Sequence, residues 1–355
     1  MHKNHPFRSK TAGRKPYYIS QEKDNKMTKK TVFFIALVIT GALAFSNTVS
    51  FQDDNYTGTV TYNETARPGD AVFARMNVKI SKTLKKKNAP DTAASLILMK
   101  GNRKIDSAQF YFFNQKAKKQ PAAEMLASIP VSLWTDPDSH YSLKIIFTAG
   151  VTPEKEIILP FKVEARSFNS EVLDLDERNS GIKQNMTAER MAQIEKLNNI
   201  LETVMPQDIY SLKPFVRPVK SERMTAYFGD KRVYKYTDGQ SETSYHYGHD
   251  YGVPEKTDVY ACADGRVVMS EFRISTGWSI VIEHLPGLYS LYYHLSSPDV
   301  QENDFVRQGQ KIGLSGSTGL ATGPHLHWEV RLNAAAVTPD FFMRDFTFSS
   351  SDGQK

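Results

Sequence analysis

Cysteine is almost absent from this chain of 355 residues. Cys262 stands alone, which excludes an intrachain disulfide framework and any metal site built from several thiolates. Glycine and proline number only 20 and 17, so collagen-like and low-complexity architectures are excluded as well. No apolar run approaches the roughly 20 residues of a membrane-crossing helix, which removes a polytopic membrane protein from consideration. The body of the chain also lacks net charge. Nine bases against two acids place +7 in residues 1–30, so the rest carries −1 of the total of +6. A near-neutral body has no electrostatic footprint for a polyanion, and nucleic acid is excluded as a partner.

What remains is an ordinary globular balance, 40% hydrophobic and 24% charged, and enough length for two domains and connecting segments. The first 45 residues read as a leader. Lys29 and Lys30 precede a run of about 14 mostly apolar residues over 32–45, and Ala42-Leu43-Ala44 supplies a small-x-small cleavage site. This order predicts a secretory signal peptide and export to the periplasm or cell envelope. Left uncleaved, it becomes a signal anchor that tethers the chain to a membrane through residues 31–45. Met27 heads the charged stretch and competes with Met1 as the start.

From 50 to 165 the hydrophobic pattern has period two, the mark of half-buried strands. Met76, Val78 and Ile80 alternate with Arg75, Asn77 and Lys79, and further strands are expected at 96–99, 107–113, 141–147 and 157–163. A Lys-rich loop at 82–91, a hairpin turn at Lys100-Gly101-Asn102-Arg103, and turns at Asp136-Pro137-Asp138 and Thr152-Pro153 punctuate them. Together they predict a β-sandwich-like module with a structural or binding role. Its one histidine, His140, lies beside a turn. Residues 166–186 read as a polar, irregular linker. Thr187 then N-caps a connecting helix running to about Val204, with Met191, Ile194, Leu197, Leu201 and Val204 on one face.

The third segment, 212–345, is glycine-punctuated β-structure and holds six of the nine histidines. In the strand expected around Pro324-His325-Leu326-His327-Trp328-Glu329-Val330, alternation puts Leu326, Trp328 and Val330 on one face and His325, His327 and Glu329 on the other. His246 and Asp250, four apart with Gly248 between them, share one side of an extended segment, and imidazole and carboxylate are both good zinc donors. His249 falls at odd offset and faces away. Ser290, Tyr292 and His294 share a face of a third strand. His284 has only the reading of a core or surface residue. The run from Gly313 to Gly323 lacks the Lys-Ser/Thr of a phosphate loop and reads as a tight turn that aims the following strand.

Taken in order, these segments resemble the M23 family of zinc metallopeptidases, the lysostaphin-type peptidoglycan endopeptidases. The resemblance runs through His246-x-x-x-Asp250, residues 259–268, Tyr293-His294-Leu295, 309–313, 316–319 and 323–330. It leaves the N-terminal module out. With the sandwich-like module at 50–165 and the linker and helix at 166–211 read from the residue pattern, the chain is expected to be mainly β; the resemblance implies an antiparallel-β M23 peptidase domain at 212–345. It implies one Zn²⁺ ion held by His246, Asp250 and His327, with His294 and His325 as the catalytic histidines, and peptidoglycan peptide as the substrate. Glu329 is placed to orient a ligand or to pair with Arg331. The Gly-Thr-Pro usual after the aspartate is replaced by Lys256-Thr257-Asp258, a change expected to affect a turn rather than the metal. A tyrosine near the site is common in the family, and Tyr236 and Tyr245 are the candidates. The alternative is a non-catalytic M23-like protein that binds peptidoglycan or activates another hydrolase. The sequence names neither the bond cleaved nor a regulatory protein partner.

Overall fold

The computed structural model describes residues 47–52, 54–80, 92–113, 122–149 and 154–345. The leader with its tether at 31–45, the Lys-rich loop at 82–91 and the Thr152-Pro153 turn lie outside the described residues. Among the described residues no helix is long and apolar enough to cross a membrane.

Two five-stranded sheets form the N-terminal part. One runs in the order Asn47–Gln52, Tyr56–Tyr62, Ala71–Ile80, Ala122–Pro130 and Tyr111–Phe112. The other runs Thr65–Ala66, Lys155–Val163, Tyr141–Ala149, Thr92–Lys100 and Arg103–Gln109. Their inner faces share a core that includes Val60, Met76, Val78, Leu96, Leu98, Leu143 and Leu159. The alternating pattern predicted the strands at 71–80, 92–100, 141–149 and 155–163; the one expected at 107–113 is divided between Arg103–Gln109 and Tyr111–Phe112, and the strands at 47–52, 56–62, 65–66 and 122–130 were not anticipated. Lys100 pairs with Arg103 around the expected turn, with Gly101 at φ +55°. Strand Ala71–Ile80 departs from simple alternation. Its first half is buried on both faces, Val72 and Ala74 toward the sandwich and Ala71 and Phe73 toward the C-terminal part. There Phe73 stacks on Phe341 at 6.0 Å and meets Phe342 edge-on at 6.1 Å, and the Thr338 amide donates to Gly69 O at 2.7 Å. One apolar core therefore runs from this sheet into the next domain.

The linker expected at 166–186 is not irregular. Strand Ser170–Asp174 pairs in parallel with Lys231–Lys235, which pairs antiparallel with Ser241–Tyr245. A short helix follows at Glu177–Lys183, its first turn capped by Asp176, which accepts from the Asn179 amide. The strand's partner lies about sixty residues away, and such non-local pairing leaves no local periodicity to read. The connecting helix is present at Ala188–Leu201, N-capped by Thr187. Its buried face is narrower than the expected stripe. Leu197 and Leu201 pack on Met269, Val281, Tyr289, Leu291 and Tyr293, while Met191 and Val204 are exposed.

The C-terminal part is one antiparallel sheet. Its main path runs Met224–Ala226, Gly248–Tyr251, Leu326–Leu332, Leu288–Pro298, Gly277–Leu285, Gly265–Arg273 and Phe305–Val306. Asp258–Tyr260 and Lys311–Ser315 pair beside it, and Ala335–Val337 pairs with Leu326–Leu332. Leu326, Trp328, Val330 and Leu332 are fully buried in the core below the sheet. That leaves the histidine-bearing face of the same strand for chemistry. Lys256 stands in the left-handed region at φ +63°, a turn position that favours glycine, and its amide donates to Ser315 O.

Candidate metal centre

Strands Gly248–Tyr251 and Leu326–Leu332 are neighbours, and their register sets Asp250 directly opposite His327. His246 approaches from the turn before the first of these strands. Gly248 permits the approach, because a Cβ there would lie 2.3 Å from Trp328 O. One ligand atom each from His246, Asp250 and His327 then falls within 4.8 Å of the others, and all three residues are buried.

The far side of each group is already committed. His246 Nδ1 donates to Tyr227 O at 2.9 Å, which turns Nε2 inward. His327 Nε2 donates to Glu329 Oε1 at 2.9 Å, which turns Nδ1 inward. Asp250 Oδ2 accepts from Arg232 Nη2 at 2.9 Å, which leaves Oδ1 facing the two rings, 3.1 Å from His246 Nε2 and 2.7 Å from His327 Nδ1. Two imidazole nitrogens 2.9 Å apart beside a carboxylate oxygen make a donor set of the kind zinc takes, with three protein ligands and no cysteine. Glu329 is held in turn by Arg331, whose Nε lies 2.7 Å away and whose guanidinium covers the Tyr247 ring at 4.9 Å. Glu329 thus both orients a histidine and pairs with Arg331.

The electrostatics follow from this packing. Burial pushes the His246 ring down. Burial also works against the Asp250 carboxylate, but the His246 and His327 rings hold it well below the usual range. Burial alone would lower His327 as well, yet its contacts with Asp250 and Glu329 push it up to about 9. A proton on its Nδ1 occupies the place a metal would take, and metal binding would release it. Glu329 is opposed by burial and still held down at about 2 by Arg331 and His327.

His294 and His325 stand beside this cluster, their rings 4.8 Å apart, with His294 6.0 Å from His327. His294 does not share a face with Ser290 and Tyr292. The strand Leu288–Pro298 bulges between its pairings with Trp278 and Ile280, and His294 adopts φ +60°. That bulge swings its ring away from the core, where Tyr292 lies, to the side on which Tyr293 stacks on His327 at 5.5 Å. His294 Nδ1 donates to Thr318 O at 2.7 Å and His325 Nδ1 to Gly323 O at 2.8 Å, so both rings offer Nε2. Burial and the neighbouring rings of His325 and His327 push His294 down to about 3 and keep it neutral.

The other two histidines of the 212–345 segment serve the core. His249 accepts from the Phe228 amide at 3.2 Å and turns its other nitrogen to Asp340. His284 is fully buried between Asp264 O and Ser290 Oγ, and burial pushes it down to about 4. Neither tyrosine candidate is brought against the three ligand atoms. Tyr236 donates to Glu242, and Tyr245 packs edge-on against Trp134 and Phe168. Sequence reasoning missed Arg232 and Tyr234, which share one face of strand Lys231–Lys235. Nothing in the sequence near Arg232 points to Asp250, since the contact is made across two separate sheets. The segment 170–190 braces the site's surroundings: Lys183 pairs with Glu242 on one side, while Arg178 donates to Gly319 O and Arg190 to Ser275 Oγ on the other.

Residues 244–339 match the family model described as Peptidase family M23. They form an M23 peptidase domain. His246, Asp250, His294, His325 and His327 all lie inside this match. The DD-carboxypeptidase/endopeptidase Mpg of Neisseria meningitidis serogroup B is 44% identical over 94 residues, which are 26% of this chain and 22% of that protein. The peptidoglycan DD-endopeptidase ShyA of Vibrio cholerae is 40% identical over 121 residues, 34% of this chain and 27% of that protein. Among solved structures, the lysostaphin catalytic domain from Staphylococcus simulans is 30% identical, with a TM-score of 0.29 over 34% of this chain and 92% of that one. This chain covers less than a third of the length of those two curated relatives.

Proposed function

We propose that this chain is an exported, zinc-dependent endopeptidase that hydrolyses peptide cross-links or bridges in bacterial peptidoglycan, working in the periplasm or cell envelope. One observation carries the reading: His246, Asp250 and His327 turn one donor atom each toward a common point inside an M23 domain, with the opposite atom of each residue bonded elsewhere. Zinc bound there supplies Lewis acidity, which acidifies water and polarises a carbonyl oxygen.

The chain's own residues supply the rest. His246, Asp250 and His327 hold the ion, one per domain. Thr318 O fixes the His294 ring so that Nε2 can take a proton from attacking water and return it to the leaving amine. His325, fixed by Gly323 O, offers a second Nε2 on the same side for the same proton traffic or for the developing oxyanion. A pure binder has no need for five such groups to be intact and oriented. Both relatives are named for DD-peptide bonds, which join two D-centres. Glycine has no stereocentre, so meso-diaminopimelate cross-links are favoured over glycyl bridges. A retained leader would hold the enzyme at the membrane through residues 31–45.

Purified peptidoglycan incubated with the zinc-loaded protein tests this reading, with mass spectrometry of the released fragments. Cross-linked muropeptides should fall to monomers. Peptidoglycan left unchanged by a protein that demonstrably holds zinc would reject the reading in favour of a binding protein.

A further inference from the structure

Arg232 lies outside the M23 match and outside the set of residues the resemblance supplies, yet it touches the centre. Its Nη2 is 2.9 Å from Asp250 Oδ2, and both side chains are largely withdrawn from solvent, 14% and 8% exposed. Its Nε is bonded to Glu171 Oε1 at 2.5 Å, and Glu171 belongs to the connector strand Ser170–Asp174, which pairs with the Arg232 strand in parallel register. The guanidinium is thus clamped between two carboxylates. A planar fork held at one end presents its other end at a fixed angle, which an ammonium on a flexible stem does less well. The consequence falls on Asp250. Its Oδ1 faces His246 and His327, while its Oδ2 is spent on Arg232.

We propose that Arg232, anchored by Glu171 of the connector, is a positioning residue that holds Asp250 to a single inward-facing oxygen. This rests on the reading of His246, Asp250 and His327 as a zinc site. A carboxylate freed of Arg232 can rotate and offer both oxygens, which changes the coordination number of the ion and removes the fixed orientation of the ligand. Partners of this kind behind a metal ligand contribute roughly 10- to 100-fold in metal affinity. The connector between the two halves of the chain would then contribute to the metal site from outside the peptidase domain.

The test uses the full chain, with zinc affinity measured by chelator competition and the visible absorption of the Co²⁺-substituted protein, whose band intensity reports coordination number. Arg232→Met should weaken zinc binding by about tenfold or more and lower the Co²⁺ band toward a higher-coordinate pattern. Arg232→Lys, which keeps one charged donor near Oδ2, should recover part of both. Glu171→Gln leaves Arg232 in place but loosens its anchor, so it should shift both readouts in the same direction by less, and it decides the matter if Arg232→Met does not fold. Variants that bind zinc as tightly as the parent, or tighter, with an unchanged Co²⁺ spectrum would overturn the proposal. A parent protein that takes up no zinc would instead reject the zinc-site reading on which it rests.

Discussion

The two halves of this chain use β-structure in opposite ways. In the sandwich, strand Lys155–Val163 alternates strictly between buried and exposed positions, and polar residues mostly face water. In the M23 domain, strands Leu288–Pro298 and Leu326–Leu332 are buried on both faces for most of their length. A polar side chain in the first setting needs no explanation. In the second it costs several kcal/mol unless paired, so His327, Glu329 and Asp250 persist there only because each has its partner. Buried polarity, more than the number of histidines, separates a site from a scaffold in this molecule.

The sharpest break in the comparison comes from the site itself. Asp250→Ala or His327→Ala should abolish zinc binding and lower peptidoglycan hydrolysis at least about a thousandfold, read by metal content and fragment release together. His294→Ala should keep the zinc and lose about 10²- to 10⁴-fold in turnover, the scale of a lost proton-transfer group. Equal loss of metal in that variant would move His294 into the ligand set.

The shared core supplies the next effect. Phe73→Ala removes the ring that stacks on Phe341 and meets Phe342, and it should destabilise the chain by about 3–5 kcal/mol in denaturant melts. If the halves were independent, the peptidase transition would not move.

A pH effect should appear in the M23 half. His284 has a folded-state pKa depressed to about 4 against 6.5 in the unfolded chain, so the unfolded state binds the extra proton first. His284's contribution to stability is therefore complete above pH 6.5 and is lost as pH falls toward 4, by an amount on the order of 3 kcal/mol. His284→Gln should shrink that limb of a stability–pH curve without touching zinc uptake, and the part that remains belongs to His246 and His294. The smallest effect belongs to a turn. Lys256→Gly relieves a left-handed backbone and should stabilise by about 1 kcal/mol, with activity unchanged in the same assay.

Much of this was legible beforehand, and the reasons are local. Period-two runs such as Met76–Val78–Ile80 and Leu326–Trp328–Val330 announce strands because a strand's neighbours sort its faces. His246, Asp250, His325 and His327 announce themselves by spacing within single segments. What stayed hidden depends on distant partners. Ser170–Asp174 has no pattern of its own and becomes a strand only against Lys231–Lys235. The aim of His294 is set by a bulge that simple alternation cannot contain, and Arg232 reaches Asp250 from a different sheet. The second buried face of Ala71–Phe73 carries no local signal, because its aromatic partners come from residues 341 and 342.

That aromatic seam has a practical consequence. Anyone excising the peptidase as a free-standing catalyst would leave Phe341 and Phe342 as a bare oily scar on its flank. Such a truncated reagent should clump unless those rings are recoded to hydrophilic side chains or the sandwich is carried along as a solubilising cap.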